Sequence, residues 1–194
     1  MPFLEVLTRT FMGRPNMLVA NTQSIEALAG ADHSHVVLVD YQQQGVAAAN
    51  AALANYEPTG SYVWVLDDDD VCVYPAMVND LKYLSWLNGM PPAFIVRMDH
   101  GDLLGVLPDA AHWLQPPVEA GIGCSAIITR RDVWMYCRKA WASGRYASDY
   151  DFISAVWAAH ADRIIWHNVI ASRCQRISRG QPEPAGWVAG GVPV

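Results

Sequence analysis

The chain has little charge and almost no lysine. Charged residues make up 16% of its 194 residues, and Lys82 and Lys139 are its only lysines. With 52% hydrophobic residues, this balance excludes an intrinsically disordered chain and indicates a globular one. The chain also lacks a CxxC pair. Cys72, Cys124, Cys137 and Cys174 are scattered, which argues against a zinc centre or a disulfide framework and leaves four core thiols. No apolar run approaches the length of a membrane span, and no basic-then-apolar segment opens the chain, so a cytoplasmic protein is expected. No internal repeat is visible, and the length suits one domain with a sizeable core.

What is present is concentrated. Four consecutive aspartates, Asp67 to Asp70, follow the apolar run Tyr62-Val63-Trp64-Val65-Leu66 with no polar spacer. Carboxylates at the mouth of a buried strand repel one another and resist desolvation, and a divalent cation among them relieves both costs. Hard oxygen ligands suit magnesium or manganese, with waters and a phosphate completing the shell. A solvated acidic turn is the competing explanation, and direct fusion to a strand argues against it.

The net charge of −6 hides an asymmetry. Residues 1–120 hold 4 Lys/Arg against 14 Asp/Glu, a balance of −10, and residues 121–194 hold 9 against 5, a balance of +4. The basic part is mostly arginine, including Arg130, Arg138, Arg145 and Arg173. An acidic metal end facing an arginine-rich end suits an anionic, metal-bound substrate such as a nucleoside diphosphate.

The pattern along the chain alternates strand and helix. Phe3–Leu7 reads as a strand, Thr8–Arg14 as a loop, and Pro15 as a helix opening, with Met17, Leu18, Ile25 and Leu28 at helical spacing. His35–Val39 is a second strand ending at Asp40. Gly45 precedes an alanine-rich helix over Val46–Asn55, and the strand into the aspartates follows. Later come a helix from Pro75, a hairpin or short meander over residues 93–107, a strand over Gly123–Thr129 and a helix over Arg131–Ser143. Ser148 can cap a helix with Asp149 and Asp151 in its first turn, and Arg163–His167 is the last strand. Continuous apolar strands separated by helices predict an α/β fold with a mostly parallel central sheet flanked by helices. Residues 1–180 form the expected domain, and 181–194 a flexible Gly/Pro-rich C-terminal tail. In such a sheet ligands bind at the carboxyl ends of the strands, where strand order reverses. That topology brings Thr8, Arg9, Asp40 and the aspartate cluster to one edge.

These residues, in this order, resemble the nucleotide-sugar-binding half of a GT-A fold glycosyltransferase, most like glycosyltransferase family 2. The resemblance spans roughly residues 3 to 175 and rests on the Thr8-Arg9-Thr10 segment, Asp40, Gly45 with Asn50, Leu66 to Asp70, Pro75, and Ser148-Asp149-Tyr150-Asp151. It implies a single-domain, Rossmann-like GT-A sandwich. It also implies transfer of a sugar from a UDP- or GDP-linked donor to an acceptor hydroxyl, with Mn2+ or Mg2+ and with inversion. Asp40 then matches the residue that bonds the base or ribose of the donor, with Thr8 and Arg9 lining the same pocket. Asp67 and Asp69 match the DxD pair that holds the metal and the ribose-diphosphate. Asp149 matches the base that deprotonates the acceptor, and Asp151 is its substitute candidate. A histidine that completes the metal shell has His167 or Gln175 as its nearest matches. The family usually has an acidic residue where Ser148 stands and often a basic one at Ala49. The acceptor is not defined, and the arginines keep a nucleic-acid acceptor open.

Three other readings compete. Asp67-x-Asp69 after an apolar strand also fits the nucleophile motif of haloacid dehalogenase-like phosphatases, which need a supporting lysine. A sugar-nucleotide pyrophosphorylase would need a Gly-rich basic loop after the first strand, where Thr8–Arg14 stands instead. A non-catalytic nucleotide-sugar-binding module follows if the Asp149 region lies far from the cluster.

Overall fold

The computed structural model describes residues 1–175, apart from residues 31, 43, 102 and 103, together with residue 182. Residues 176–180, expected to close the domain, and all but one residue of the expected tail lie outside the described residues. Strands β1 (Leu4–Phe11), β2 (His33–Asp40) and β3 (Tyr62–Val65) alternate with helices α1 (Pro15–Glu26) and α2 (Val46–Asn55). Then follow β4 (Asp70–Cys72), α3 (Met77–Leu87), β5 (Ala93–Asp99), β6 (Val106–Leu107), β7 (Ile127–Arg130), α4 (Arg131–Cys137), α5 (Ser148–His160) and β8 (Ile165–Cys174).

One sheet holds all eight strands in the order β2-β1-β3-β7-β5-β8-β4, with β6 beside β5. Strands β1, β2, β3, β5 and β8 share one direction, and β4, β6 and β7 oppose it. The sheet is therefore mostly parallel, with antiparallel insertions in its second half. Strand order reverses at β1, which lies between β2 and β3. The crevice at the carboxyl ends of these strands is the position at which α/β folds bind ligands.

Strand alternation builds two cores. Leu4, Val6, Tyr62, Trp64, Phe94, Val96 and Ile128 pack on one face with Ile25 of α1 and Met77, Val78 and Leu81 of α3. Leu7, Val63, Val65, Ile95 and Ile127 pack on the other with Leu53 of α2, Trp134 of α4 and Phe152, Ile153 and Val156 of α5. Full burial of each large side chain contributes about 1.5–3 kcal/mol, so these two layers dominate the driving force. Among the described residues no helix is long and apolar enough to cross a membrane.

Three local differences from the sequence expectation matter for the site. Strand β1 runs on through Phe11, because Thr8 to Phe11 continue the parallel ladder with Val37 to Asp40. Ser148 is not a cap: it is the first residue of α5, buried, and its hydroxyl donates to the Arg145 carbonyl at 2.6 Å. The turn after β3 leads into the short strand β4, which pairs with the far end of β8.

Candidate active site

A cleft of about 380 Å3 opens over the carboxyl ends of β1, β2 and β3. Its walls include Arg9, Thr10, Phe11 and Arg14 from β1 and the following loop, and Asp40 from the end of β2. Gly45, Val46, Ala49 and Asn50 come from the start of α2, Asp67 to Asp69 from the turn after β3, and Tyr146 and Asp149 from around the start of α5. Arg9, Asp40, Asp67, Asp69 and Asp149, far apart in sequence, are thus brought together.

The aspartates are answered by two arginines of the acidic half. Arg9 Nε donates to Asp67 Oδ1 at 2.7 Å, and Nη2 donates to Oδ2, a two-pronged contact that fixes the carboxylate plane. Burial opposes ionisation of Asp67, but the Arg9 charge and its hydrogen bonds outweigh it and hold the carboxyl below its ordinary value. Arg9 also donates to Asn50 Oδ1, and its guanidinium lies 5.2 Å from the Trp141 ring centroid. Arg14 is almost fully buried, with Nη1 2.9 Å from Asp68 Oδ1 and 3.1 Å from Asp69 Oδ2. Thr10 Oγ1 donates to Asp68 Oδ2 at 2.7 Å.

Four adjacent carboxylates nevertheless remain in conflict. Burial, then the charge of Asp69, pushes Asp68 up to about 6. Burial and the charge of Asp67 raise Asp69, and burial and Asp69 raise Asp70 well above the usual carboxylate range. The four carboxyl groups sit in a strained electrostatic setting, a common mark of functional sites.

Four described arginines of the second half are paired away from this cluster. Arg130 pairs with Asp132, Arg138 with Glu57, Arg145 with Glu119 and Arg173 with Asp99. These arginines are spent on ion pairs of their own, and none lines the cleft.

Asp40 closes the β2 end of the cleft. Its Oδ2 accepts the Gly45 N–H at 2.8 Å, tying the strand end to the start of α2. Gly45 sits at φ +83°, a left-handed conformation that a side chain would strain. Asp149, near the start of α5, also lines the cleft. Burial raises its pKa, while its own helix-start amides and the Arg9 charge pull it back.

Thr8 does not line the cleft, contrary to expectation. In a strand, neighbours face opposite sides, so Thr8 follows Leu4 and Val6 toward α1 while Arg9 turns to the cleft. Thr8 is fully buried, with Oγ1 3.0 Å from Asn21 Oδ1 and 2.8 Å from His35 Nε2. His167 is also elsewhere. It sits on β8 with Nε2 3.3 Å from Asp80 Oδ2 and its ring edge-on to Tyr74, outside the cleft walls. Asp151 points away from the cleft, toward Arg145 at 3.5 Å. Gln175 approaches the cluster from behind, its N–H donating to the Asp69 carbonyl at 2.6 Å and its side-chain amide to the Asp68 carbonyl at 3.2 Å.

Arg14, Tyr146 and Asn21 carry no signal in the sequence that singles them out. Arg14 is readable there only as the residue before a helix-opening proline, and its contact with Asp68 spans 54 positions.

Among the described residues no group of three or more His, Cys, Asp or Glu side chains is gathered as a ligand set. Both oxygens of Asp67 are bonded to Arg9, and both of Asp68 to Thr10 and Arg14. Asp69 remains about a fifth exposed to the cleft with one ion pair, and the repulsion that raises its pKa is what a cation relieves. These residues fit a cation held by one carboxylate, with waters and phosphate oxygens supplying the rest of the shell.

No protein-family model and no curated protein matches the sequence. Solved structures match the fold. Residues 1–349 of TarS from S. aureus superpose with a TM-score of 0.65 at 14% identity, over 90% of this chain and 60% of that one. The same TarS fragment in complex with UDP-GlcNAc gives a TM-score of 0.65 at 12% identity, over 97% and 62%. A glycosyltransferase involved in glycosylation of the major capsid of PBCV-1 gives 0.58 at 11% identity, over 92% and 96%. The chain has a GT-A-like glycosyltransferase fold. It spans about three-fifths of the TarS fragment and nearly the whole of the PBCV-1 enzyme.

Proposed function

We propose that this chain transfers a glycosyl group from a nucleoside-diphosphate sugar to an acceptor hydroxyl, with inversion. The observation that carries the reading is the single cleft that joins Asp40, the Arg9–Asp67 pair, Asp69 and Asp149 at the strand-order reversal. The fold neighbours include TarS solved with UDP-GlcNAc and with UDP, which favours a UDP-linked donor.

In this reading Asp40 accepts hydrogen bonds from the base or ribose. Asp67, its plane fixed by Arg9, orients the ribose-diphosphate. Asp69 holds a divalent cation, Mn2+ or Mg2+, which when bound neutralises charge on the leaving diphosphate. Asp149, which lines the same cleft, takes the proton of the acceptor hydroxyl. A carboxyl whose pKa is raised by burial is a stronger base than a solvated one.

Two alternatives are less well supported. A phosphatase of the dehalogenase type needs a lysine at the aspartates, whereas Lys82 pairs with Asp32 and Lys139 bonds Asn55, both outside the cleft walls. A non-catalytic binding module has no use for Asp149 in the same cleft as the aspartates. The deciding experiment incubates the protein with UDP- and GDP-sugars and Mn2+ and follows release of the nucleoside diphosphate. Slow release to water in the wild type that is lost in Asp149→Asn supports the reading. Nucleotide binding without release under any acceptor or solvent condition favours the binding module.

A further inference from the structure

Asn21 of α1 is fully buried directly beneath the aspartate turn. Its amide Nδ2 donates to the Asp67 carbonyl at 3.0 Å and the Asp70 carbonyl at 2.9 Å, with the Leu66 carbonyl at 3.4 Å. Asp67 O and Asp70 O bracket the turn, and the Asp70 N–H closes it by donating to Asp67 O at 2.9 Å. With Nδ2 aimed at carbonyls, Oδ1 must be the acceptor, and it faces Thr8 Oγ1 at 3.0 Å. The single hydroxyl hydrogen of Thr8 is then committed to Asn21. The His35 Nε2, 2.8 Å from that hydroxyl, must therefore be the donor, which fixes the His35 tautomer. A chain His35–Thr8–Asn21 thus runs from β2 through β1 and α1 to the main chain of the turn.

We propose that Asn21 is a positioning residue of the donor site, which holds the Asp67–Asp70 turn from behind so that Asp67 and Asp69 face the cleft. This rests on the donor-site reading above for its functional consequence, but not for its structural one. The turn carries four carboxylates that repel one another; Arg9, Thr10 and Arg14 hold the side chains of Asp67 to Asp69, and the main chain between Asp67 and Asp70 is left to a separate restraint. Asn21 supplies it through main-chain carbonyls and leaves the carboxylates to the cleft. Thr8 acts one step further back by fixing the orientation of the Asn21 amide.

The test compares Asn21→Ala with Ser24→Ala. Ser24 also joins α1 to β4, accepting the Cys72 N–H at 2.9 Å and donating to the Asn21 carbonyl, but it does not touch the turn carbonyls. Two readouts are used: hydrogen exchange of the Asp70 amide without ligand, and calorimetric affinity for UDP with Mn2+. Asn21→Ala is expected to speed Asp70 exchange and to weaken UDP–Mn2+ binding by about 10-fold or more, the usual scale for a support to a metal site. Ser24→Ala is expected to speed Cys72 exchange and leave both readouts near wild type. Should Asn21→Ala fail to fold, Thr8→Val, which keeps the volume and removes the hydroxyl, is expected to shift both readouts in the same direction by less. Unchanged Asp70 exchange in Asn21→Ala and Thr8→Val, or an equal change in Ser24→Ala, overturns the proposal. If wild type binds no nucleotide, the donor-site reading falls, and the exchange measurement alone decides the role of Asn21.

Discussion

Arg9 grips Asp67 by both carboxylate oxygens, Nε to Oδ1 at 2.7 Å and Nη2 to Oδ2, across 58 positions of sequence. The same guanidinium reaches Asn50 of α2, whose amide donates to Ser148 Oγ at 3.0 Å, at the start of α5. One side chain therefore fixes the spacing between the aspartate turn and the segment that carries Asp149. Breaking such a buried pair leaves an uncompensated carboxylate, at a cost of about 3–5 kcal/mol. Arg9→Met is expected to lower unfolding stability on that scale and to abolish nucleotide binding, as read by chemical denaturation and calorimetry. Arg9→Lys keeps the charge but not the fork, and is expected to recover only part of either loss.

The aspartate cluster makes stability depend on pH. Asp68, raised from 3.8 to about 6, binds its proton more tightly in the folded chain than in the unfolded one. Its contribution is complete below pH 3.8 and is lost as pH rises through about 6. At 1.36 kcal/mol per pKa unit, the loss is about 3 kcal/mol. Asp68→Asn is expected to flatten the fall in stability between pH 4 and pH 6 measured by urea denaturation.

The two carboxylates of α5 separate by position. Asp149 lines the cleft, and Asp151 turns to Arg145. Asp149→Asn is expected to cut glycosyl transfer by about 10²-fold or more, the scale of a positioned base, with donor affinity little changed. Asp151→Asn is expected to leave turnover within a few-fold of wild type. A larger effect from Asp151 than from Asp149 reverses the assignment.

Asp40 faces the nucleoside end of the cleft in this account. Asp40→Ala is expected to weaken UDP binding more than pyrophosphate binding, since only the nucleoside loses a partner. Equal losses for the two ligands would place the base elsewhere.

Much of this architecture was legible in the sequence because its signals are local. Apolar strands in front of Asp40 and Asp67, Pro15 and the Ala-rich run after Gly45 define the first two βα units and the third strand, and topology then places their ends together. The position of Thr8 was misread because the strand was ended too early: once β1 reaches Phe11, parity sends Thr8 inward and Arg9 outward. His167 is matched only by order along the chain, which does not report where a side chain points. Arg14 and Asn21 escaped notice because their meaning lies in partners about 50 residues away, and Arg14 carried no local signal beyond a helix-opening proline.

The central claim, a donor site built on Asp69 and its neighbours, is tested most directly by titrating UDP into the protein with and without Mn2+, for wild type and Asp69→Asn. The account predicts Mn2+-dependent UDP binding by wild type. It also predicts loss of the metal dependence in Asp69→Asn, with the variant folded and no less stable, because removing one of four repelling carboxylates relieves its neighbours. Undiminished Mn2+-dependent binding by Asp69→Asn, or no nucleotide binding by wild type at any Mn2+ concentration, would contradict it.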